Sequence, residues 1–309
     1  MNVPKISICL LTYKRAAILG ATIDSLLHQT FSDFELLIND DCSPDGTEQV
    51  CREYLKRDAR VRYFRNLRNL RYSGNQNAAV SRAGSDFIAF VHDGDSYAPN
   101  MLERWYETLV KHPSAGLVFN AQSTLDLSGH VVRTSSHPYA ELIPGRVMFD
   151  YVITKPSIPI WGILLCRRQV FDKVGLFDGR FPVLADVDMW LRIMTHYDIC
   201  YIREPLFAVW PREPGHINRG INWKIERESE TIHWLNLRRK QEITGEKWTW
   251  QQTDLDAMIR VKQLFGLAWC LRKGSGYRFV KGIQHVLGYQ GRRETLTGQQ
   301  LSTIPAPSS

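Results

Sequence analysis

The chain has 309 residues, 44% of them hydrophobic, which is apolar material enough for one large buried core and excludes a disordered chain. A formal charge of +7 favours an anionic partner without choosing among phosphate, nucleic acid and lipid head groups. The six cysteines, Cys9, Cys42, Cys51, Cys166, Cys200 and Cys270, form no C-x-x-C pair, and several sit in apolar runs. They are expected as buried, reduced thiols of a cytoplasmic protein, not as a disulfide or zinc framework.

The N-terminal "MNVPKISICLLTYKR" has too short an apolar stretch for a signal peptide. Its "KISICLL" (Lys5 to Leu11) predicts a strand buried on both faces. "RAAILGATIDSLLHQ" follows with Ile18, Ile23, Leu26 and Leu27 at helical spacing. "FELLIN" is a second strand, and "TEQVCREYLKR" is a helix with acidic residues first and basic residues last, which suits its dipole. "VRYFRN", "DFIAFVH" and "AGLVFNA" predict further strands, separated by the helices "GNQNAAVSRA" and "NMLERWYETLVKH". This alternation predicts an α/β class with a mainly parallel central sheet flanked by helices.

From Leu125 to Ile153 the pattern reads as loops and short strands. "IPIWGILLCRR" predicts a strand, "RQVFDKVGLFD" a short helix ending at Gly175, "DVDMWLRIMTHYD" an amphipathic helix, and "ICYIREPLFAVW" strand, turn, strand. After Pro214 the texture changes to three helical segments, 221–241, 253–273 and 277–290, rich in Trp, Leu, Lys and Arg. The expected division is a catalytic domain over 1–218 (a nucleotide-binding half over about 1–120, an acceptor-side half over 121–218), a helical C-terminal region over 219–298, and a disordered tail over 299–309.

Open parallel sheets bind ligands at the carboxyl ends of their strands. The residues there are Thr12, Tyr13, Lys14 and Arg15; then Asp40, Asp41, Cys42, Ser43, Asp45 and Gly46; then His92, Asp93, Gly94 and Asp95. Basic residues and a helix N-terminus suit phosphates. An aspartate near an aromatic could accept from a base N–H or a ribose hydroxyl. Paired aspartates could hold a hard cation, and Mg²⁺ usually takes one or two carboxylates plus substrate phosphates. Each also has a plainer reading: Asp41, Ser43 and Asp45 as turn or helix-cap residues, Tyr13 as strand-end packing, Lys14 and Arg15 as solvated charges.

Five ordered stretches resemble the family 2 glycosyltransferases of the GT-A fold: "SICLLTYKRAAILGATIDSLLHQTFSDFELLINDDCSPDGT", "NLRYSGNQNAAVSRAGSDFIAF", "HDGDSYAP", "GLFDGRF", and "ADVDMWLR" followed by "YIREPLF". They cover about residues 4–216. The resemblance implies an inverting, metal-dependent transferase that moves a sugar from a nucleotide-sugar donor, most simply a UDP-sugar, to a glycan or lipid-linked acceptor in polysaccharide or cell-envelope biosynthesis. It places Asp41 at the nucleotide base, Thr12 and Tyr13 at base and ribose, and Arg15 and Asp93 on the donor side. Asp95, with Asp93 and His216, would be the Mn²⁺ or Mg²⁺ ligands, and Asp186 the catalytic base, with Asp188 as its rival. Many members read Asp-x-Asp-Asp before the proline. Counted back from Pro99, that frame puts His92 at the first acid and Gly94 at the usual metal aspartate. Ala185 stands where most relatives carry Glu. Trp161 and Trp210 could line an acceptor sugar.

A dinucleotide dehydrogenase needs G-x-G-x-x-G after the first strand, where this chain has "TYKRAA", and no P-loop occurs. Dispersed basic residues without a recognition motif argue against a nucleic-acid partner. The alternative from another class is an inactive member that binds a nucleotide-sugar or glycan. The basic, aromatic C-terminal helices could touch the inner face of an anionic membrane or form a homodimer interface.

Overall fold

The structure is a computed structural model that describes residues 3–154, 159–181, 183–211 and 223–245. His216, Cys270, the helices expected over 253–273 and 277–290 and the tail over 299–309 lie outside the described residues.

The chain alternates β1 (Ile6–Thr12), α1 (Leu19–Leu27), β2 (Phe34–Asp40), α2 (Thr47–Arg57), β3 (Val61–Arg65), α3 (Arg71–Arg82) and β4 (Phe87–His92). The short β5 (Asp95–Tyr97), α4 (Met101–Lys111), β6 (Ala115–Leu125), β7 (Val131–Ser135) and β8 (Leu142–Ile143) follow. Then come α5 (Gly145–Thr154), β9 (Leu164–Arg167), α6 (Gln169–Val174), α7 (Ala185–Met194), β10 (Asp198–Val209) and α8 (Trp223–Thr244). One sheet runs β3-β2-β1-β4-β9-β6-β10-β5, with β7 paired to β6 and β8 to β10. The pairs β3–β2, β2–β1, β1–β4 and β6–β10 are parallel, while β9 runs against β4 and β6. The expected α/β class, with a central sheet flanked by helices, is what forms, but the sheet is mixed and not mainly parallel: β5 and β8 run against β10 and β7 against β6, as β9 does against its neighbours, because the second half of the chain returns through short strands and not through crossover helices.

β2 is buried along its whole length and β1 nearly so, as apolar runs covered on both faces must be. α4 seals the sheet with Trp105, fully buried, whose indole N–H donates to the buried Asn120 Oδ1 at 2.8 Å. Among the described residues five cysteines are free: Cys9, Cys51, Cys166 and Cys200 are buried and Cys42 partly so.

Three local expectations are corrected. Gly145–Thr154 is a helix, not loop or strand; Met148, Phe149, Val152 and Ile153 give it a buried helical stripe despite its β-branched content. β10 is one strand whose register shifts around Pro205, not strand, turn, strand, because a bulge accommodates the missing N–H. "IPIWGILLCRR" yields strand only over Leu164–Arg167.

The chain divides into two compact units. The first comprises Met1–Glu213 with Ile232–Gly245; the second comprises Pro214–Thr231 with Glu246–Ser309. Of the second, the described part is the helical stretch from Trp223 to Thr231. Among the described residues no helix is long and apolar enough to cross a membrane.

Candidate active site

Parallel pairing brings the ends of β1, β2 and β4 to one edge, with Thr12 opposite Asp40 and Leu11 opposite His92. Because β9 runs antiparallel to β4, the residues just before it, Trp161 and Gly162, reach the same edge. The loops there are stitched together. The Asp41 N–H donates to the Thr12 carbonyl (3.0 Å) and the Lys14 N–H to Ser43 Oγ (2.9 Å). The Arg15 N–H donates to Thr47 Oγ1 (3.1 Å) and the Ala16 N–H to Asp45 Oδ2 (3.3 Å). Arg15 then crosses to the next loop, its Nε 3.4 Å from Asp93 Oδ1. Arg15 is therefore part of the frame, not a solvated charge.

Asp41 is buried and faces inward. Its Oδ1 accepts from the Leu70 N–H (2.7 Å) and Asn66 Nδ2 (3.0 Å), and its Oδ2 accepts from the Arg71 N–H (2.9 Å). This carboxylate thus holds the entry to α3, a role the sequence did not reveal because two of its donors are backbone groups. Oδ2 keeps lone-pair capacity beyond its one bond. Asp45, not Asp41, serves α2, accepting from the Thr47 N–H at 3.2 Å. The non-glycine residues in the left-handed region among those described are Lys14 (φ 58°), Cys42 (φ 64°) and Arg71 (φ 63°). All three stand beside this carboxylate or the loops it borders. Such backbone costs about 1–3 kcal/mol each and gathers at ligand clamps and active sites. Thr12 is buried, and its Oγ1 has no hydrogen-bond partner among the described residues. Tyr13 is 40% exposed, with Lys14 Nζ 5.2 Å from its ring centre.

The "HDGD" segment is a tight turn between β4 and β5. The Tyr97 hydroxyl clamps it, accepting from the His92 N–H and donating to the His92 carbonyl, both at 2.8 Å. The Gly94 N–H donates to Thr22 Oγ1 (2.9 Å), and that hydroxyl donates to the Asp95 carbonyl (3.1 Å). Gly94 has φ +80°, and a Cβ there would lie 2.9 Å from Ile18 Cδ1. An acid at position 94 would be strained by that φ, and the end of the Ile18 side chain would have to shift to admit it. Asp93 and Asp95 flank that glycine; Asp95 is 2% exposed and opens β5 against Val209.

Asp186 lies in the first turn of α7, its Oδ1 accepting from the Val187 N–H at 2.8 Å. Burial, and after it the Asp186 carboxylate, pushes the Tyr72 phenol well above the usual tyrosine range, with a hydrogen bond from Gln76 acting the other way. Tyr72 Oη and His92 Nε2 converge at Gly162 (φ +77°), lying 3.4 and 3.1 Å from where its Cβ would be. Asp186, Tyr72, His92 and Gly162 thus form one corner of the edge. Tyr72 and Gly162 carried no signal in the sequence. Trp161, beside Gly162, is 57% exposed, whereas Trp210 donates its indole N–H to Ser96 Oγ at 2.7 Å.

Asp188 is fully buried and bound to Arg192, Asn236 and Arg239 at 2.8, 2.9 and 2.8 Å, so it is the acid turned away from the edge. Ala185 is also fully buried, which suits alanine where a Glu would have to be desolvated.

Among the described residues no group of three or more His, Cys, Asp or Glu is arranged to hold a metal ion. Two hard carboxylates flanking one glycine fit a different case, a cation that draws its remaining ligands from phosphates and water.

Residues 7–175 match the family described as "Glycosyl transferase family 2". The chain is 28% identical over 187 residues to the "Uncharacterized glycosyltransferase EpsJ" of Bacillus subtilis, covering 56% of itself and 51%, about half, of that relative. It is 25% identical over 199 residues to the Escherichia coli "UDP-Glc:alpha-D-GlcNAc-diphosphoundecaprenol beta-1,3-glucosyltransferase WfgD", covering 64% of this chain and 72% of that one. The solved structure of S. aureus TarS 1-349 in complex with UDP-GlcNAc shares the fold with a TM-score of 0.60 at 15% identity, over 93% of this chain and 92% of that one.

Proposed function

The chain belongs to glycosyl transferase family 2 and has the GT-A fold, and we propose that it transfers a sugar, with inversion, from a UDP-sugar to a hydroxyl of a glycan or lipid-linked acceptor. The names of its relatives support that substrate class: one uses UDP-Glc and a diphosphoundecaprenol acceptor, and a structural neighbour binds UDP-GlcNAc. Such acceptors belong to the building of cell-envelope polysaccharide. The observation that carries the reading is the single sheet edge on which Thr12, Asp41, the Asp93–Asp95 turn and the Asp186 end of α7 all converge.

On this reading the rim of Thr12, Tyr13 and Asp41, bordered by the strained Lys14, Cys42 and Arg71, receives the nucleoside. The unpaired Thr12 Oγ1 and the open capacity of Asp41 Oδ2 are its hydrogen-bonding groups. Asp93 and Asp95 would hold Mn²⁺ or Mg²⁺, which when bound supplies positive charge to the leaving diphosphate. Arg15 steadies Asp93 through their ion pair. Asp186 accepts the acceptor hydroxyl's proton as that oxygen bonds to the anomeric carbon and the bond to the diphosphate breaks. Tyr72, His92 and the exposed Trp161 border the side from which the acceptor enters. The products are the glycosylated acceptor, the nucleotide diphosphate and a proton held on Asp186.

The test offers UDP-glucose, UDP-N-acetylglucosamine and GDP-mannose, with Mn²⁺ and after EDTA, and measures nucleotide diphosphate release. The expected result is metal-dependent release from a UDP-sugar, reduced about 10²–10⁴-fold in Asp186→Asn with UDP affinity unchanged. Full release after Asp186→Asn would remove the base assignment, and full release in EDTA would remove the metal. UDP binding without release from any donor would favour the inactive binding member.

A further inference from the structure

α7 has 10 residues, and its N-cap, Leu184, makes no side-chain capping bond. A helix this short is not stable by itself, so its place and rotation come from tertiary ties. Met189, Trp190, Leu191 and Ile193 pack it into the core, and Asp188, which has no exposed surface, adds a directional tie. Its Oδ2 accepts from Arg192 Nε at 2.8 Å, one turn along the same helix. Its Oδ1 accepts from Asn236 Nδ2 at 2.9 Å and Arg239 Nη1 at 2.8 Å, both on α8. Arg192 is held in turn, donating to the Val174 carbonyl and, at 3.0 Å, to the Leu176 carbonyl. Asn236 also donates to the Ile232 carbonyl at 2.9 Å, and Lys240 reaches Asp150 on α5 at 2.7 Å. Both α7 and α8 lie beyond residues 7–175, which match the family.

We propose that Asp188, with Arg192, Asn236 and Arg239, is a positioning hub by which α8 sets the rotation of α7 and so aims Asp186 at the sheet edge. The geometry is decisive. Residues two apart on an α-helix point about 200° from each other, given 3.6 residues per turn. Fixing Asp188 against α8 therefore turns Asp186 to the opposite side, where it acts on Tyr72. A hydrophobic contact would hold the helices together more cheaply, because burying Asp188 and Arg192, with Arg239 partly buried, costs desolvation. What directional bonds to both carboxylate oxygens add is a fixed angle about the helix axis. This proposal rests on the reading of Asp186 as the base.

The experiment uses the full chain and compares wild type with Arg239→Leu, Arg239→Lys, Asn236→Ala and Asp186→Asn. The readouts are hydrogen exchange of the amides from Ala185 to Leu191, diphosphate release from the active UDP-sugar, and UDP affinity by calorimetry. In Arg239→Leu, exchange in that segment is expected to quicken and release to fall about tenfold or more, since a small misplacement of a catalytic group is costly. UDP affinity should stay within about twofold, because the nucleoside rim lies at β1 and β2 and not on α7. Arg239→Lys should restore part of the rate by keeping the charge. Unchanged exchange and release in both Arg239→Leu and Asn236→Ala would overturn the proposal. So would a loss of UDP affinity equal to the loss of rate, which would mark general loosening. Asn236→Ala carries the test if Arg239→Leu does not fold. Asp186→Asn separates the two readings: full release there removes the base, while the exchange data still judge the hub.

Discussion

Replacing Asp41 by Asn changes one atom of a buried group and tests what that carboxylate does. Its Oδ1 holds the Leu70 N–H at 2.7 Å and Asn66 Nδ2 at 3.0 Å, and its Oδ2 holds the Arg71 N–H at 2.9 Å. With the amide oxygen in place of Oδ1, the new NH₂ faces the Arg71 N–H, donor against donor. The flipped amide is worse, because it opposes two donors. At 4% exposure water does not substitute freely. Losing one bond to a charged acceptor costs about 1.5–3 kcal/mol; the Arg71 N–H is not orphaned, because it also donates to Asn69 Oδ1 at 3.0 Å. For a domain of this size that lowers the melting temperature by about 3–12 °C. The Leu70 N–H keeps the amide oxygen and Asn66 Nδ2 keeps a second acceptor as well, Asn75 Oδ1 at 2.9 Å, so the damage centres on Arg71. The assay is urea and thermal unfolding followed by circular dichroism, with UDP calorimetry on the same samples. A variant that melts within about 1 °C of wild type while losing UDP affinity would show that Asp41 is a ligand group only, and the anchoring of α3 would have to be credited elsewhere.

Two further substitutions follow from the structure. Gly94→Asp, which restores the acid of the common family frame, should destabilise the chain by about 1–3 kcal/mol in urea unfolding without raising metal-dependent turnover, because φ is +80° and Ile18 Cδ1, 2.9 Å from where the Cβ would be, must shift. A variant as stable as wild type would show that the turn re-forms around an acid. At Glu35, burial raises the carboxyl pKa, but hydrogen bonds from Ser7, Arg62 and the Gly84 N–H outweigh it and hold the group below its usual range. A depressed carboxyl contributes stability that is complete above its unfolded value of about 4.3 and is lost as pH falls through the folded value. Glu35→Gln should therefore flatten the stability–pH curve below about pH 4.5, and an unchanged acid limb would refute the assignment.

The sheet was legible where its strands are buried on both faces. "SICLL", "FELLIN" and "FIAFV" are continuous apolar runs, and only parallel strands covered by helices need them. Topology then located the site edge, because the carboxyl ends of such strands must meet. β5 was hidden because three residues carry no period, and α5 because its β-branched residues mimic a strand. The partners of the site acids were hidden for a different reason. Asp41 is held partly by backbone N–H groups, which have no letter in the sequence. Asp188 is held by side chains about 50 residues downstream, a distance that no local pattern spans.

The two departures from the family pattern have physical causes, and neither requires that the acids' work be lost. Position 185 faces the core, so an acid there would have to be desolvated, and Ala185 removes that cost. Position 94 sits at the apex of a turn whose φ favours glycine and whose Cβ direction meets the end of the Ile18 side chain. The acids stand on either side of it, at Asp93 and Asp95. Of the two, Asp93 already shares its charge with Arg15, and Asp95 is sunk at the mouth of β5. A cation held between them would draw its other ligands from the donor's phosphates, and its affinity should therefore rise steeply when the nucleotide is present. Titrating Mn²⁺ with and without UDP measures that coupling. Equal Mn²⁺ affinity in the two titrations would mean that the carboxylates bind the ion without help from the phosphates, contrary to a site of only two acids.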